Sequence, residues 1–194
     1  YISHKARRRF YSVMDAANVD LKAFTEDFYH QLCFAHLSEI LETLEYLKHE
    51  TQVWFEITTL LIPEKNDSEA EVTKLCEWVL EHLGPEVPLH FTAFHPDFKM
   101  LDTPHTPPST LQRARQIGLN TGLHYVYTGN VHDQAGQTTY CPKCHAVLLE
   151  RDWYELGAYQ ISNGACGLCG TTIAGHFETK PGRWGAKRVP LRLA

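Results

Sequence analysis

The stretch that decides the fold is residues 52–62, Gln-Val-Trp-Phe-Glu-Ile-Thr-Thr-Leu-Leu-Ile. It is rich in β-branched and aromatic residues, which favour a buried strand. Side chains alternate between the two faces of a strand, so Glu56 and Thr58 share one face. A buried carboxylate without a partner is costly, and we therefore expect Glu56 to meet a partner or a ligand.

Predicted strands and helices alternate on both sides of this stretch. The other predicted strands are 17–22, 88–95 and 123–129, and the predicted helices are 37–48, 109–121 and one that begins with a capping box at Ser68 and ends at Gly84. This alternation is typical of βαβ units around a parallel sheet. Four strands are too few to close an eight-stranded barrel. No glycine-rich phosphate loop follows a strand, which argues against a dinucleotide-binding fold.

Four of the six cysteines form two CxxC pairs, Cys141-Pro-Lys-Cys144 and Cys166-Gly-Leu-Cys169. Two residues between cysteines allow a tight turn that directs both sulfurs at one ion, and two such turns give a tetrahedron of thiolates. We predict a structural zinc site in a zinc-ribbon-like module at residues 139–179. So short a segment cannot bury enough apolar surface to fold alone, and the metal would supply the missing folding energy.

Other interpretations of the cysteines stay open. The site would hold iron if it were rubredoxin-like or a cluster site, and a lone CxxC is also a redox motif. His145 and His176 lie nearby as alternative ligands. Cys33 and Cys76 sit alone in helical patterns, so the six cysteines do not form a disulfide framework.

Composition limits the partners and the compartment. The 194 residues carry a net charge of −5, which argues against nucleic acid and an anionic membrane as partners. No apolar run approaches the roughly 20 residues that a membrane span needs, and no signal peptide is visible. Paired CxxC motifs without a secretory segment predict reduced thiols and a cytoplasmic location.

We predict an α/β domain over residues 1–138, the small module over 139–179 and a tail without its own core over 180–194. The chain opens at Tyr1 without an initiator Met, which suggests a piece of a longer protein.

Several motifs in combination carry a family resemblance. They are Asn-Val-Asp-Leu-Lys-Ala-Phe at 18–24, residues 53–63 with Asn66-Asp67, His-Phe-Thr-Ala-Phe-His-Pro at 90–96, and Tyr-Val-Tyr-Thr-Gly-Asn-Val-His at 125–132. Together with the four-cysteine module, they resemble the second half of radical SAM enzymes related to glycyl-radical-enzyme activases, in particular the AmmeMemoRadiSam type.

This resemblance implies the C-terminal part of a partial (β/α)6 barrel, with S-adenosylmethionine and a 4Fe-4S cluster as cofactors of the intact enzyme. It assigns Asp20, Lys22 and His95 to binding S-adenosylmethionine. Activases usually have an Arg where this chain has Glu56. We therefore expect Lys22 to meet the cofactor's carboxylate, and Glu56 to meet its amino group or a substrate. All four side chains should converge at the carboxyl ends of the strands, with Lys22 and Glu56 close enough to form an ion pair.

The cluster-binding CxxxCxxC of the family is absent from the sequence. In the family it belongs to the first strand of the barrel, and Tyr1 corresponds to a point after the third strand. Cys33 and Cys76 are too far apart to replace it. We therefore expect the chain alone to be inactive in reductive cleavage. The resemblance does not identify the substrate; a protein of the same system is one candidate.

Two further functions compete with this one. The chain could be a zinc-ribbon-containing α/β module that binds a partner without catalysis. It could also be a metal-dependent hydrolase that uses His90, His95, His132 and Asp133, although these residues lack a recurring ligand spacing.

Overall fold

The computed structural model describes residues 1–182, so the predicted tail at 180–194 lies outside the described residues except for its first three positions. The chain divides into two compact units, Tyr1–Val131 and a second that begins at His132. No helix in the described part is both long enough and apolar enough to cross a bilayer.

The first unit alternates strands and helices, as the sequence predicts. Its strands are β1 (Ala16–Asp20), β2 (Trp54–Leu61), β3 (Leu89–Ala93) and β4 (Val126–Gly129). Its helices are α1 (His4–Tyr11), α2 (Glu26–Phe28), α3 (Leu37–Glu50), α4 (Glu69–Leu83) and α5 (Pro108–Thr121), and a π-helical turn (Tyr29–Cys33) follows α2. The sequence pattern did not predict α1, α2 or the π-helical turn, because each is too short or too polar to show a helical period of apolar residues.

All four strands are parallel, and their spatial order follows the chain order β1-β2-β3-β4. A doubly wound sheet reverses its strand order at a switch point, whereas a barrel adds each strand next to the previous one. The sequential order in this unit is therefore that of a barrel segment. The predicted fold class, an α/β partial barrel followed by a small four-cysteine module, is confirmed.

The two faces of the sheet differ in burial. On β2 every second side chain is buried, and Phe55, Ile57 and Leu61 join the core. On the opposite face Glu56 and Thr58 are only half-buried. Purely parallel open sheets are normally covered on both faces, while a barrel has one helix-covered face and one that lines its interior. The half-buried polar face therefore corresponds to a barrel interior.

Helix α4 shows how the connections are fixed. Its N-cap is Ser68, whose hydroxyl accepts from the Glu71 amide at 3.3 Å. The predicted capping box is only half formed, because the Glu71 carboxylate accepts from the Phe24 amide at 2.8 Å instead of returning to Ser68. Glu71 thus ties the start of α4 to the segment that follows β1.

The second unit is a small, mainly antiparallel structure. Its elements are α6 (Gln134–Gln137), β5 (Thr139–Tyr140), β6 (Val147–Asp152), β7 (Glu155–Tyr159), β8 (Ile161–Ser162) and β9 (Ala165–Cys166). Strands β5, β6 and β7 form one sheet, and β8 pairs with β9 in a short hairpin. One CxxC pair follows β5 and the other begins in β9, so the two turns come from different parts of this unit.

Candidate metal centre and sheet-edge site

The four predicted ligands Cys141, Cys144, Cys166 and Cys169 come together in the structure. Their sulfur atoms all lie within 4.8 Å of one another. The Sγ atoms of Cys141 and Cys169 are 3.6 Å apart, and those of Cys144 and Cys166 are 3.8 Å apart. A tetrahedral site with metal–sulfur bonds of about 2.3 Å has sulfur–sulfur edges of about 3.8 Å. The arrangement is therefore a four-cysteine metal-binding site, and all six cysteines of the chain are free of disulfides.

The two CxxC turns share one backbone design. The amide of His145 donates to the carbonyl of Cys141 at 2.9 Å, and the amide of Gly170 donates to the carbonyl of Cys166 at 2.9 Å. The residue after each pair has a positive φ, 58° at His145 and 73° at Gly170. Glycine adopts this conformation at little cost, whereas His145 must be held there by its surroundings. The His145 backbone thus closes a turn, and its side chain is not among the four grouped ligands.

The electrostatics of the group favour a cation. Hydrogen bonding by the Thr171 side chain, and then by its backbone, lowers the pKa of Cys169 to about 6. The Ala146 amide stabilises the Cys144 thiolate. Hydrogen bonding with Cys169, then burial, then hydrogen bonding with Cys141 and Cys166 outweigh it and raise the pKa of Cys144 to about 12. Four thiolates at this spacing repel one another, and a bound divalent ion removes that repulsion.

On the polar face of the α/β sheet, the strand register decides which side chains meet. Asn18 on β1 is level with Glu56 on β2, and Thr58 is level with His90 on β3. Asn18 Nδ2 donates to Thr58 Oγ1 at 2.9 Å. His90 Nε2 lies 2.7 Å from Glu56 Oε2, and Trp54 Nε1 donates to Glu56 Oε1 at 3.3 Å. Glu56 is therefore held by groups of its own strand and the next one.

The predicted Lys22–Glu56 ion pair is wrong. Lys22 Nζ instead lies 2.8 Å from Asp20 Oδ2, with both side chains about half exposed. Asp20 is level with Thr58, which is two residues beyond Glu56 along β2. Lys22 lies two residues further along the chain than Asp20, away from Glu56. The structure brings Asp20 together with Lys22, and Glu56 together with His90, as two separate pairs. Asp20 and Glu56 share one face, as their positions in the register require.

His95 lies beyond the end of β3. Its ring is exposed, its Nδ1 is 2.9 Å from the Pro96 carbonyl, and it packs edge-on against His105 at 5.5 Å between ring centroids. It is not buried among the helices. In the described part of the chain, no hydrogen bond or ion pair joins it to Asp20, Lys22 or Glu56, so the convergence of all four stays a prediction.

A buried amide fixes the backbone beneath the Asp20–Lys22 pair. Asn66 is 3% exposed, and its Nδ2 donates to the carbonyls of Lys22 at 2.6 Å and Leu60 at 2.9 Å. Its Oδ1 accepts from the Ile62 amide at 2.7 Å. Asn66 thus joins the chain after β1 to the end of β2, and it determines where the Lys22 backbone lies.

The sequence did not identify His90 as the partner of Glu56, although its position between the apolar Leu89 and Phe91 puts it on the polar face of β3. His90 and His95 belong to the first unit, where His90 meets Glu56, and His132 and Asp133 belong to the second. His132 meets Asp152 of its own unit at 3.1 Å. The hydrolase alternative stays a prediction.

Comparisons with known proteins found a relative by sequence and similar solved structures. No protein-family model matches the chain. The uncharacterized protein MJ0808 of Methanocaldococcus jannaschii is 40% identical over 162 residues, which are 82% of this chain and 48% of that protein. The chain thus spans about half the length of this relative.

Two solved structures are also similar. One is a domain of a pyruvate-formate lyase-activating enzyme from Bacteroides vulgatus, which has a TM-score of 0.57 at 17% identity and covers 66% of this chain and 75% of that one. The other is a radical SAM methyltransferase from Sphaerobacter thermophilus, with a TM-score of 0.49 at 17% identity, covering 58% of this chain and 33% of that one. The first match shows that the α/β unit shares the fold of that activating-enzyme domain.

Proposed function

We propose that this chain is the C-terminal portion of a radical SAM enzyme of the AmmeMemoRadiSam type, in which the polar face of the sheet contributes to binding S-adenosylmethionine. The observation that carries the proposal is the half-buried polar face of a sheet whose fold is similar to that of an activating-enzyme domain. In proteins built on such sheets, ligands bind at the carboxyl ends of the strands. S-adenosylmethionine would supply the radical chemistry of the intact enzyme, in which the cluster ligands lie outside this sequence.

The Asp20–Lys22 pair suits one part of this cofactor. The amino-acid moiety of S-adenosylmethionine carries an ammonium and a carboxylate, and the pair offers a carboxylate and an ammonium at the end of β1. Both groups are about half exposed, so a ligand reaches them without disrupting the core. Glu56 is occupied by His90 and Trp54, and its proposed role is to position these neighbours or to meet a substrate.

For the four-cysteine site we propose zinc in a structural role. Four thiolates at tetrahedral spacing are the preferred environment of structural zinc, and they leave no open position for a substrate. The module is too small to be stable without the ion. Its reduced thiols are consistent with a cytoplasmic location.

The test of cofactor binding uses titration calorimetry with S-adenosylmethionine. Replacing Lys22 by Ala should weaken binding about tenfold, since a hydrogen bond to a charged group that is half exposed contributes about 1.4 kcal/mol. Lys65→Ala is the matched control, because Lys65 is an exposed cation in the loop after β2. Equal affinity of the Lys22 and Lys65 variants, or no binding by the unaltered chain, would contradict the proposal.

A second experiment tests the expected inactivity of this portion. The sequence contains no CxxxCxxC, so anaerobic reconstitution with iron and sulfide should give no 4Fe-4S signal. Addition of dithionite and S-adenosylmethionine should then give no 5′-deoxyadenosine. Turnover by the chain alone would show that another group of residues holds a cluster.

A partner-binding module without catalysis is the second candidate. Exposed aromatic side chains favour it, because Trp153 and Tyr154 at the β6–β7 turn are 51% and 71% exposed. Exposed aromatics are enriched at protein interfaces. The partner would be a protein. A chain that binds a protein at this turn and shows no affinity for S-adenosylmethionine would favour this second function.

A further inference from the structure

The segment after β1 brings three metal-ligating side chains together. Glu26 lies in α2, His30 in the π-helical turn, and His36 directly before α3. Phe34 ends the turn with a φ of 52°, and the Ala35 amide donates to the Tyr29 carbonyl at 3.1 Å. This closure folds the chain back, so that His36 returns to the face that carries Glu26 and His30. π-Helical turns and strained residues of this kind are frequent at functional sites.

The three ligand atoms form a nearly equilateral triangle. His30 Nε2 is 2.9 Å from His36 Nδ1, His36 Nδ1 is 2.8 Å from Glu26 Oε1, and His30 Nε2 is 3.2 Å from Glu26 Oε1. The two ring nitrogens carry at most one N–H each, and the carboxylate oxygen carries none, so at most two protons serve the three contacts. Hydrogen bonds alone therefore do not account for all three approaches.

The triangle fits the coordination of a metal ion. With ligand bonds of about 2.1 Å, adjacent positions of an octahedral ion are about 3.0 Å apart, and those of a tetrahedral ion about 3.4 Å. We propose that Glu26, His30 and His36 bind a divalent first-row transition-metal ion through three adjacent positions, as a site separate from the four cysteines. Two imidazoles and one carboxylate suit zinc, iron, cobalt or nickel rather than magnesium or calcium.

A backbone hydrogen bond orients the Glu26 carboxylate toward the two histidine rings. Glu26 Oε2 accepts from the Leu37 amide at 2.8 Å, which fixes the carboxylate while its Oε1 faces the two rings. All three side chains are exposed, which leaves the remaining coordination positions accessible to water or another ligand.

The proposed metal site lies close in sequence to the Asp20–Lys22 pair. The pair lies at the carboxyl end of β1, and the site lies in the segment that follows the strand. The buried Tyr29, next to His30, accepts through its hydroxyl from the Lys22 amide at 3.0 Å. A metal ion bound at Glu26, His30 and His36 would therefore be anchored to the same backbone that carries Lys22.

The experiment is an anaerobic titration with Co²⁺ of the full chain, after its four cysteines have been filled with one equivalent of zinc. We expect saturable binding of one Co²⁺ per chain, with the weak visible bands of nitrogen and oxygen ligation and no sulfur charge-transfer band. His36→Ala should weaken binding more than tenfold. Glu26→Gln should do the same, and it keeps an oxygen that accepts from the Leu37 amide. His4→Ala, which removes an exposed histidine from α1, is the control and should bind like the unaltered chain.

Far-UV circular dichroism checks that each variant is folded. If His36→Ala does not fold, the cobalt affinity of Glu26→Gln tests the proposal. No saturable binding by the unaltered chain would overturn the proposal. So would a sulfur charge-transfer band, which would place the cobalt at the cysteines, or unchanged binding by folded Glu26→Gln.

Discussion

Replacing Asn66 tests whether its side chain fixes the carboxyl ends of β1 and β2. Its side chain makes three hydrogen bonds, to the carbonyls of Lys22 and Leu60 and from the amide of Ile62. The residue is 3% exposed, so these backbone groups have little access to water. Replacing Asn66 by Ala removes all three bonds at once and leaves buried polar groups without partners.

The expected loss of stability follows from this count. A typical hydrogen bond contributes about 1 kcal/mol net, so Asn66→Ala should lower the free energy of unfolding by about 3 kcal/mol. This is a large fraction of the 5–15 kcal/mol that is typical of a domain. Asn66→Asp should lose at least as much at neutral pH, because its second carboxylate oxygen would face the carbonyl oxygens of Lys22 and Leu60.

Urea unfolding followed by circular dichroism at 222 nm is the appropriate assay, because the long described helices belong to the α/β unit. Asn120→Ala is the control, because Asn120 is exposed on α5 and its side chain accepts a hydrogen bond from the exposed Gln116. Its replacement should change stability by no more than about 0.5 kcal/mol. A loss below about 1 kcal/mol for Asn66→Ala would refute the reasoning that these three bonds fix the edge.

Three further predictions concern metal, thiols and pH. After dialysis against a mild chelator, elemental analysis should find about one zinc per chain, and stoichiometric iron would contradict this. Cys166→Ser should lose the zinc and disorder residues 139–179, while the α/β unit stays folded. Burial raises the pKa of Cys76 to about 12, so mass spectrometry should find it unalkylated by iodoacetamide until the chain is unfolded. Burial also raises the pKa of Glu71, so its contribution to stability is present at low pH and is lost as the pH rises through the folded-state value. Glu71→Gln should therefore gain stability relative to the unaltered chain as the pH rises above the usual Glu pKa of about 4.3. A difference in urea midpoints that does not change as the pH rises would count against this.

Local pattern was sufficient to predict the main elements. The apolar period and the flanking turn residues gave β2, α3, α4 and α5 nearly as observed, because each is long enough for its period to be read. The alternation along β2 also predicted which face Glu56 occupies. Short polar elements such as α1 and the π-helical turn carry no such period, so they could not be found in this way.

The four-cysteine site was predictable for a different reason. Each CxxC pair is a local motif whose turn already directs two sulfurs to one point, so only the meeting of two turns was left to the fold. The sequence alone thus determined the ligands Cys141, Cys144, Cys166 and Cys169, the alternation of strands and helices, and the polar face of the sheet.

Only the tertiary structure decided which distant side chains meet. The register between strands puts His90, and not Lys22, beside Glu56, because Lys22 lies four residues beyond the level of Glu56. At about 3.3 Å per residue, this is about 13 Å along the strand direction. The grouping of Glu26, His30 and His36 likewise depends on the backbone closure at Tyr29 and Ala35. Strand register and chain reversal arise from packing over the whole unit, and a one-dimensional pattern does not contain them.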